Sequence, residues 1–320
     1  MTTQNILHLF PDEFRGIFQI VSKRQEMIQE IRLRVNRPVY VIEKGQERFL
    51  NRQGMFTDQP DKAKLLSAVE LKCIMNHICR YSLYAFEEEL RQGFITVQGG
   101  HRIGIAGQAV MTEQEGVRTL KYISGLNIRI AHEIKGAANR VMPYIYDNGR
   151  LQNTLVISPP GCGKTTLLRD MIRQVSDGNT YGQGISVGLV DERSEIAGCF
   201  QGCPQNDVGL RTDVLDRCPK AGGMMMLIRS MAPGAVAIDE LGGPEEWKSL
   251  LYASYCGAGL LATMHGAGVE DYVERRNMCI PGQSDIFSRC IVLSRKNGQF
   301  IVEEIYKREN GDVWICIFQR

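Results

Sequence analysis

The stretch Thr154-Leu-Val-Ile-Ser158-Pro159-Pro160-Gly161-Cys162-Gly163-Lys164-Thr165-Thr166-Leu-Leu-Arg169 decides how this chain is read. A short apolar, β-branched run meets a proline- and glycine-rich turn, and the turn opens onto residues that suit a helix. Strand, glycine loop and helix in that order let backbone N–H groups wrap a phosphate. Glycine permits the amide orientations, and the helix N-terminus adds its positive end. Ser158, Pro159, Pro160, Gly161, Cys162, Gly163, Lys164, Thr165 and Thr166 are therefore the candidate nucleotide-binding residues. Lys164 is expected to bridge terminal phosphates and the Thr165 hydroxyl to complete a Mg²⁺ shell, which makes ATP and Mg the implied ligands. Ser158 stands where the motif usually begins with glycine, a position that shapes the turn more than it touches phosphate.

Downstream of the loop, strand and helix patterns alternate, which implies a parallel sheet. Strands are expected over 154–157, 186–190, 235–239 and 260–264, with helices beginning near Gly163, Gly222 and Pro244. Three further strands, 291–295, 300–306 and 313–318, are joined by Asn297-Gly298 and Asn310-Gly311, dipeptides that favour tight hairpins. A small antiparallel meander is expected there.

Upstream, the pattern is mixed. Phe14, Ile17, Phe18 and Val21 fall at helical spacing, and Ile31, Leu33 and Val35 alternate with Arg32 and Arg34 as a half-buried strand does. Ser67 with Glu70 forms a capping box for one helix. A second helix is expected over 82–91, and strands around Ile95, 103–106, Val110 and 117–123. A helix-like segment over 137–146 ends at Asn148-Gly149. The fold class read from this is α/β: a RecA/AAA-like P-loop NTPase domain with a mainly parallel sheet over 136–320, preceded by a smaller α+β domain over 1–135.

Three other stretches carry candidate chemistry. Val236-Ala-Ile-Asp239-Glu240 is a buried strand ending in two carboxylates; Asp239 is expected to hold Mg²⁺ through water and Glu240 to polarise the attacking water. Asp191-Glu192-Arg193-Ser194-Glu195 follows another strand end, where Glu192 or Glu195 can orient water or metal; a solvated, acid-rich helix start is the bland alternative. His265 closes the run Leu260-Leu-Ala-Thr263-Met264 and, with Thr263, can sense a γ-phosphate, although a lone histidine at a strand end is commonly structural. Arg102, Arg129, Arg193, Arg211 and Arg229 are candidates to stabilise transition-state charge from an adjacent subunit; singly, each reads more simply as a salt bridge or solvated surface.

Composition bounds the rest. At 320 residues the chain can bury two cores, and 43% hydrophobic with 23% charged residues is ordinary for a globular protein. A net charge of +2 nominates neither nucleic acid nor an anionic membrane as partner. The 10 cysteines lack the spacing of a disulfide framework, which suits reduced thiols in a cytoplasmic protein. Cys199, Cys203 and Cys218 could be half of a metal site, but no fourth ligand of strong spacing follows and packing is the favoured reading. Residues 1–10 do not read as a signal peptide, and the most apolar stretch, 250–264, is too short to span a bilayer.

The order and wording of these motifs resemble the secretion ATPase superfamily, the hexameric motors of type II and type IV secretion and pilus systems. Members show a Walker A motif, an acidic Asp box, a Walker B motif and a His box in that order, here matched by 158–166, 191–195, 236–240 and 259–265. Glu30-Ile-Arg-Leu-Arg34 through Arg37-Pro38-Val39 resembles the opening strand pair of the family's N-terminal domain. The pattern's usual arginine two residues after the Walker B glutamate is Gly242 here, and its usual glycine before that glutamate is Asp239. The trans arginine is thereby left open, with Arg102 and Arg129 preferred.

A narrower resemblance is to the sporulation stage III AA family of endospore-forming bacteria. It rests on Gly99-Gly-His-Arg102-Ile-Gly104, Ser124-Gly-Leu-Asn-Ile-Arg129, Pro159-Pro-Gly-Cys-Gly-Lys164, Val190-Asp-Glu-Arg-Ser-Glu195 and Leu210-Arg-Thr-Asp-Val-Leu-Asp-Arg-Cys-Pro219. It implies a homo-hexameric, Mg-dependent ATPase in the mother-cell cytoplasm, docked at the forespore-facing membrane through membrane-protein partners. That motor would power a secretion-like channel between mother cell and forespore; direct nucleic-acid binding is not expected, because the charge is near neutral. A nucleic-acid-dependent P-loop motor and an ATP-binding switch with little turnover are the rival readings; intact Lys164, Thr165, Asp239 and Glu240 argue against the switch.

Overall fold

The computed structural model describes residues 5–80, 86–112, 116–296, 299–309 and 313–320. The chain divides into two compact units, Met1–His132 and Glu133–Arg320.

The N-terminal unit is built on seven strands: β1 (Ile28–Arg34), β2 (Tyr40–Glu43), β3 (Gln46–Leu50), β4 (Phe56–Thr57), β5 (Phe94–Thr96), β6 (Arg102–Met111) and β7 (Val117–Arg129). Their order is β4-β3-β2-β1-β7-β6-β5, and the pairings are antiparallel. On β1, Ile31 and Leu33 are buried while Arg32 and Arg34 face away, so one face of the sheet is apolar. The helices α1 (Asp12–Lys23), α2 (Ala68–Ile78) and α3 (Glu87–Gln92) accompany that sheet, and Phe14, Phe18, Leu71, Ile74 and Leu90 join Ile31 and Leu33 in one core. The start of α2 is fixed by the capping box: Ser67 Oγ accepts from the Glu70 N–H, and the Glu70 carboxylate accepts from the Ser67 N–H.

In the C-terminal unit the short hairpins β8 (Tyr146–Asp147)–β9 (Arg150–Leu151) and β11 (Gly178–Asn179)–β12 (Gly182–Gln183) flank a larger sheet. Its strands are β10 (Thr154–Ser158), β13 (Val187–Asp191), β14 (Thr212–Asp216), β15 (Ala235–Ile238), β16 (Gly259–His265), β17 (Arg289–Lys296), β18 (Gln299–Glu309) and β19 (Val313–Gln319). The order is β14-β13-β15-β16-β10-β17-β18-β19, parallel from β14 to β17 and antiparallel beyond. Four helices are α4 (Lys164–Asp177), α5 (Lys220–Met231), α6 (Pro244–Tyr255) and α7 (Val269–Cys279).

Both faces of the parallel part are covered, as continuous apolar strands require. Val156, Leu189, Ala237 and Leu261 pack with α4 residues on one side. Leu155, Ile157, Val190, Val236 and Ile238 pack with residues of α5, α6 and α7 on the other. Strand β16 lies between β10 and β15, so Thr263 and His265 stand between the glycine loop and the Asp239-Glu240 pair. That strand order is what assembles the site.

Some local expectations give way to tertiary structure. Over 137–146 there is no α-helix; turns lead to a single 3₁₀ turn at Met142–Tyr144. Pro143 has no N–H to donate, and the Ala138 N–H is taken at 2.8 Å by the Asp170 carboxylate of α4. The C-terminal meander is antiparallel, but its first strand joins β10 directly, so it extends the main sheet. β14 and α7 are additions that the sequence pattern did not reveal. The Asn297-Gly298 and Asn310-Gly311 turns, and the beginning of the helix expected over 82–91, lie outside the described residues.

On edge strand β19 the apolar Val313, Ile315 and Ile317 are exposed. Among the described residues no helix is long and apolar enough to cross a membrane.

Candidate nucleotide site

The loop after β10 turns on two glycines, Gly161 at φ +72° and Gly163 at φ +84°, a region that L side chains rarely adopt. Gly163 is the N-cap of α4, so that helix points its free N–H groups into the loop. Gly163 is also hemmed in from outside: a Cβ there would lie 2.7 Å from the ring of Phe300 on β18. Pro159, Pro160 and Gly161 are exposed, Cys162 turns inward, and Thr166 is half-buried.

Lys164 begins α4 and is nearly buried. Its ammonium donates to the Ser158 carbonyl at 3.1 Å, the Pro159 carbonyl at 3.3 Å and the Ser158 hydroxyl at 3.4 Å, and meets His265 Nδ1 at 3.0 Å. Burial pushes the Lys164 pKa down, while Asp239 and Glu240 push it back up. With Lys164 charged, Nδ1 of His265 must accept, which leaves the ring proton on Nε2 to donate to Glu240 Oε1 at 3.2 Å. Thr165 Oγ1 donates to Asp239 Oδ2 at 2.8 Å. The Thr263 hydroxyl donates to the other Asp239 oxygen and also accepts the Glu240 N–H at 2.8 Å. Lys164, Thr165, Asp239, Glu240 and His265 thus form one connected cluster at the C-terminal edge of the sheet.

Glu240 itself has a backbone φ of +54°. Its Oε2 is 2.7 Å from Arg193 Nη1, and its carbonyl accepts from Lys220 Nζ at 3.0 Å.

The acidic stretch after β13 divides its work. Asp191 is buried, and its carboxylate accepts the N–H groups of Glu195 at 2.9 Å, Ile196 at 3.0 Å and Ala197 at 2.8 Å, folding its own loop. Burial lifts the Asp191 pKa to about 6, against those hydrogen bonds and with a further push from Asp216. Glu192 pairs with Lys220 at 3.0 Å. The carbonyls of Glu195 and Ile196 each accept from Arg169 of α4 at 2.6 Å, fixing the loop to the helix that carries Lys164.

The arginines separate. Arg193 reaches the cluster. Arg211 donates to the Ser176 carbonyl at 2.8 Å, at the end of α4 away from the loop. Arg229 lies in the last turn of α5, beside Pro233 and Ala258, where strands begin rather than end. Arg102 and Arg129 belong to the N-terminal unit, where they are cross-strand partners on β6 and β7. Arg129 is 3.8 Å from Glu30, and the Arg102 guanidinium is 4.0 Å from the centre of the Phe94 ring.

The residues fit a nucleoside triphosphate with magnesium. Glycine at 161 and 163 gives the loop its positive-φ turns, an ammonium and helix N–H groups supply positive charge, and a hydroxyl beside a carboxylate is an oxygen donor set suited to Mg²⁺. Among the described residues no group of three His, Cys, Asp or Glu side chains is arranged to hold a metal unaided, and Cys203 is exposed while Cys199 is buried. The sequence reading missed Lys220, Arg169 and Phe300. Lys220 had one signal: a lysine directly after Pro219, at a helix start that disfavours cations, is out of place unless acids surround it.

A family model described as "Sporulation stage III, protein AA" matches residues 1–313. Stage III sporulation protein AA of Bacillus subtilis (strain 168) is 40% identical over 307 residues, covering 96% of this chain and 95% of that protein. Among solved structures, the Legionella pneumophila ATPase DotB aligns with a TM-score of 0.60 at 15% identity, over 94% of this chain and 82% of that one. The pilus retraction motor PilT, solved with bound ADP, aligns with a TM-score of 0.59 at 15% identity, over 94% of this chain and 80% of that one. At such identity the likeness shows the fold alone.

Proposed function

The chain belongs to the sporulation stage III AA family, and from that premise we propose that it is a Mg-dependent ATP hydrolase, one subunit of a homo-hexameric motor serving a channel between mother cell and forespore. The observation that carries the reading is the convergence of Lys164, His265 and Glu240 in one hydrogen-bonded chain beside the Thr165–Asp239 pair.

In this reading the loop from Ser158 to Thr166 binds the phosphates and Lys164 turns from its backbone acceptors to the terminal phosphate oxygens. Thr165 and Asp239 would hold magnesium, which when bound would supply positive charge against the phosphates. Glu240 takes the proton from the attacking water on its carboxylate, and His265 Nε2 orients that carboxylate. Because His265 touches both Lys164 and Glu240, departure of the γ-phosphate reaches β16 through one ring. Glu192 and Glu195 act in shaping the wall of the site. Arg102 and Arg129 remain the candidates to act across a subunit boundary, and membrane-protein partners would dock the ring at the forespore-facing membrane.

Steady-state ATPase assays test this. Lys164→Ala should lose nucleotide binding, whereas Glu240→Gln should bind a fluorescent ATP analogue normally and turn over about 10²-fold more slowly or worse. Specific activity should rise steeply with protein concentration. Undiminished hydrolysis by Glu240→Gln would remove Glu240 as the base; flat specific activity would count against assembly.

A further inference from the structure

Lys220 has the surroundings of a working residue that lies outside both the phosphate loop and the strand-end carboxylates. It opens α5 directly after Pro219, where the positive end of the helix disfavours a cation, and its side chain is only 10% exposed. An ammonium in such a place needs acceptors, and they come from separate elements: Glu192 Oε2 at 3.0 Å from the loop after β13, the Glu240 carbonyl at 3.0 Å, and Glu246 Oε1 of α6 at 3.5 Å. The second oxygen of Glu246 accepts the Gly242 N–H at 2.6 Å. Lys220 and Glu246 together therefore grip the loop that follows β15.

That grip matters because of the backbone at Glu240. A φ of +54° is costly for a residue with a side chain and persists only where neighbours impose it. Here the Glu240 N–H is held by Thr263 Oγ1 and its carbonyl by Lys220 Nζ. The Leu241 N–H is held by the Thr263 carbonyl at 2.7 Å, so the Lys220 ammonium is the side-chain contact that fixes the Glu240 carbonyl, and its removal would loosen the turn that aims the carboxylate at His265 and Arg193. The glycine loop stands on the far side of β16 and makes no bond to Lys220.

We propose that Lys220 is a positioning residue for Glu240: it holds the left-handed turn that aims the Glu240 carboxylate and couples that turn to Glu192. The proposal rests on the ATPase reading. With Lys220→Met, kcat should fall about 10- to 100-fold while the KM for ATP and the affinity for a fluorescent ADP stay within about twofold, because only the hydrolytic side is disturbed. Lys220→Arg, whose guanidinium can meet the same acceptors, should keep most of the rate. If Lys220→Met folds poorly with Glu192 left unpaired, the Glu192→Gln/Lys220→Met pair removes both charges together and should show the same split.

The deciding measurement is a double-mutant cycle by single-turnover hydrolysis. A residue that acts through Glu240 has nothing left to position once Glu240→Gln is in place, so Lys220→Met should add no further loss in that background. Losses that multiply, a wild-type kcat in Lys220→Met, or a raised KM at unchanged kcat would each overturn the proposal while leaving ATP hydrolysis standing. An unmodified protein that never turns over ATP would instead overturn the enzyme reading, and this inference with it.

Discussion

Asp191 keeps its carboxylate for its own loop, accepting backbone N–H groups from Glu195, Ile196 and Ala197 in a buried setting. Its folded pKa of about 6 stands above the usual Asp value, so the fold favours the protonated form. The stability this contributes is complete below the unfolded value, ~3.9, and is lost as pH rises through the folded one. Urea unfolding of wild type against Asp191→Asn at pH 4, 5 and 7 should therefore show wild type losing ground to the variant as pH rises from about 4 to about 6, with the difference levelling off above that. A difference independent of pH in that window would contradict the assignment. At this scale much of the candidate site was legible: Lys164, Thr165, Asp239, Glu240 and His265 lie in short strings whose chemistry is carried by adjacent residues. Lys220 was not, because its partners Glu192 and Glu246 are distant in sequence and meet it only once β14 and α5 are in place.

Among the elements, the β17–β18 pair is the least expected participant. Arg295 and Phe300 are register partners on it, the Phe300 ring packs against Gly163, and Arg295 Nη1 lies 4.0 Å from where a Cβ on Gly161 would stand. Gly163→Ala should abolish nucleotide binding, through both the ring and the positive φ. Adding Phe300→Ala should recover part of it, since only the steric term is relieved. Phe300→Ala alone should weaken binding about fivefold by freeing the loop, a loss of roughly 1 kcal/mol. Titration with a fluorescent nucleotide checks all three; no recovery in the double variant would mean that φ alone dictates glycine there. The strands of this meander were readable from their periodicity, but their attachment to β10 was not, because sheet order is a long-range property. β14 escaped for a local reason: Asp213 and Asp216 interrupt its apolar residues. α7 escaped because Glu270, Asp271, Glu274, Arg275 and Arg276 break up its apolar spacing, with Val269 and Tyr272 its buried positions.

At the level of the whole molecule, the N-terminal core draws on residues from Ile6 to Ile130, whereas the two cores flanking the larger sheet begin at Ala138 and Leu155. Separate cores predict two calorimetric unfolding transitions. Mg·ATP should raise only the one belonging to Glu133–Arg320, by about 2.7 kcal/mol at a hundredfold excess over Kd. Equal shifts in both transitions would show that the units melt as one. The larger sheet also has two unlike borders. β14 presents Asp213 and Asp216, charges that discourage further pairing, while β19 offers Val313, Ile315 and Ile317 on an open rim. Growth by added strands is thus guarded on one flank and invited on the other, so self-association through unsatisfied backbone in crowded solution has a single direction in which to proceed.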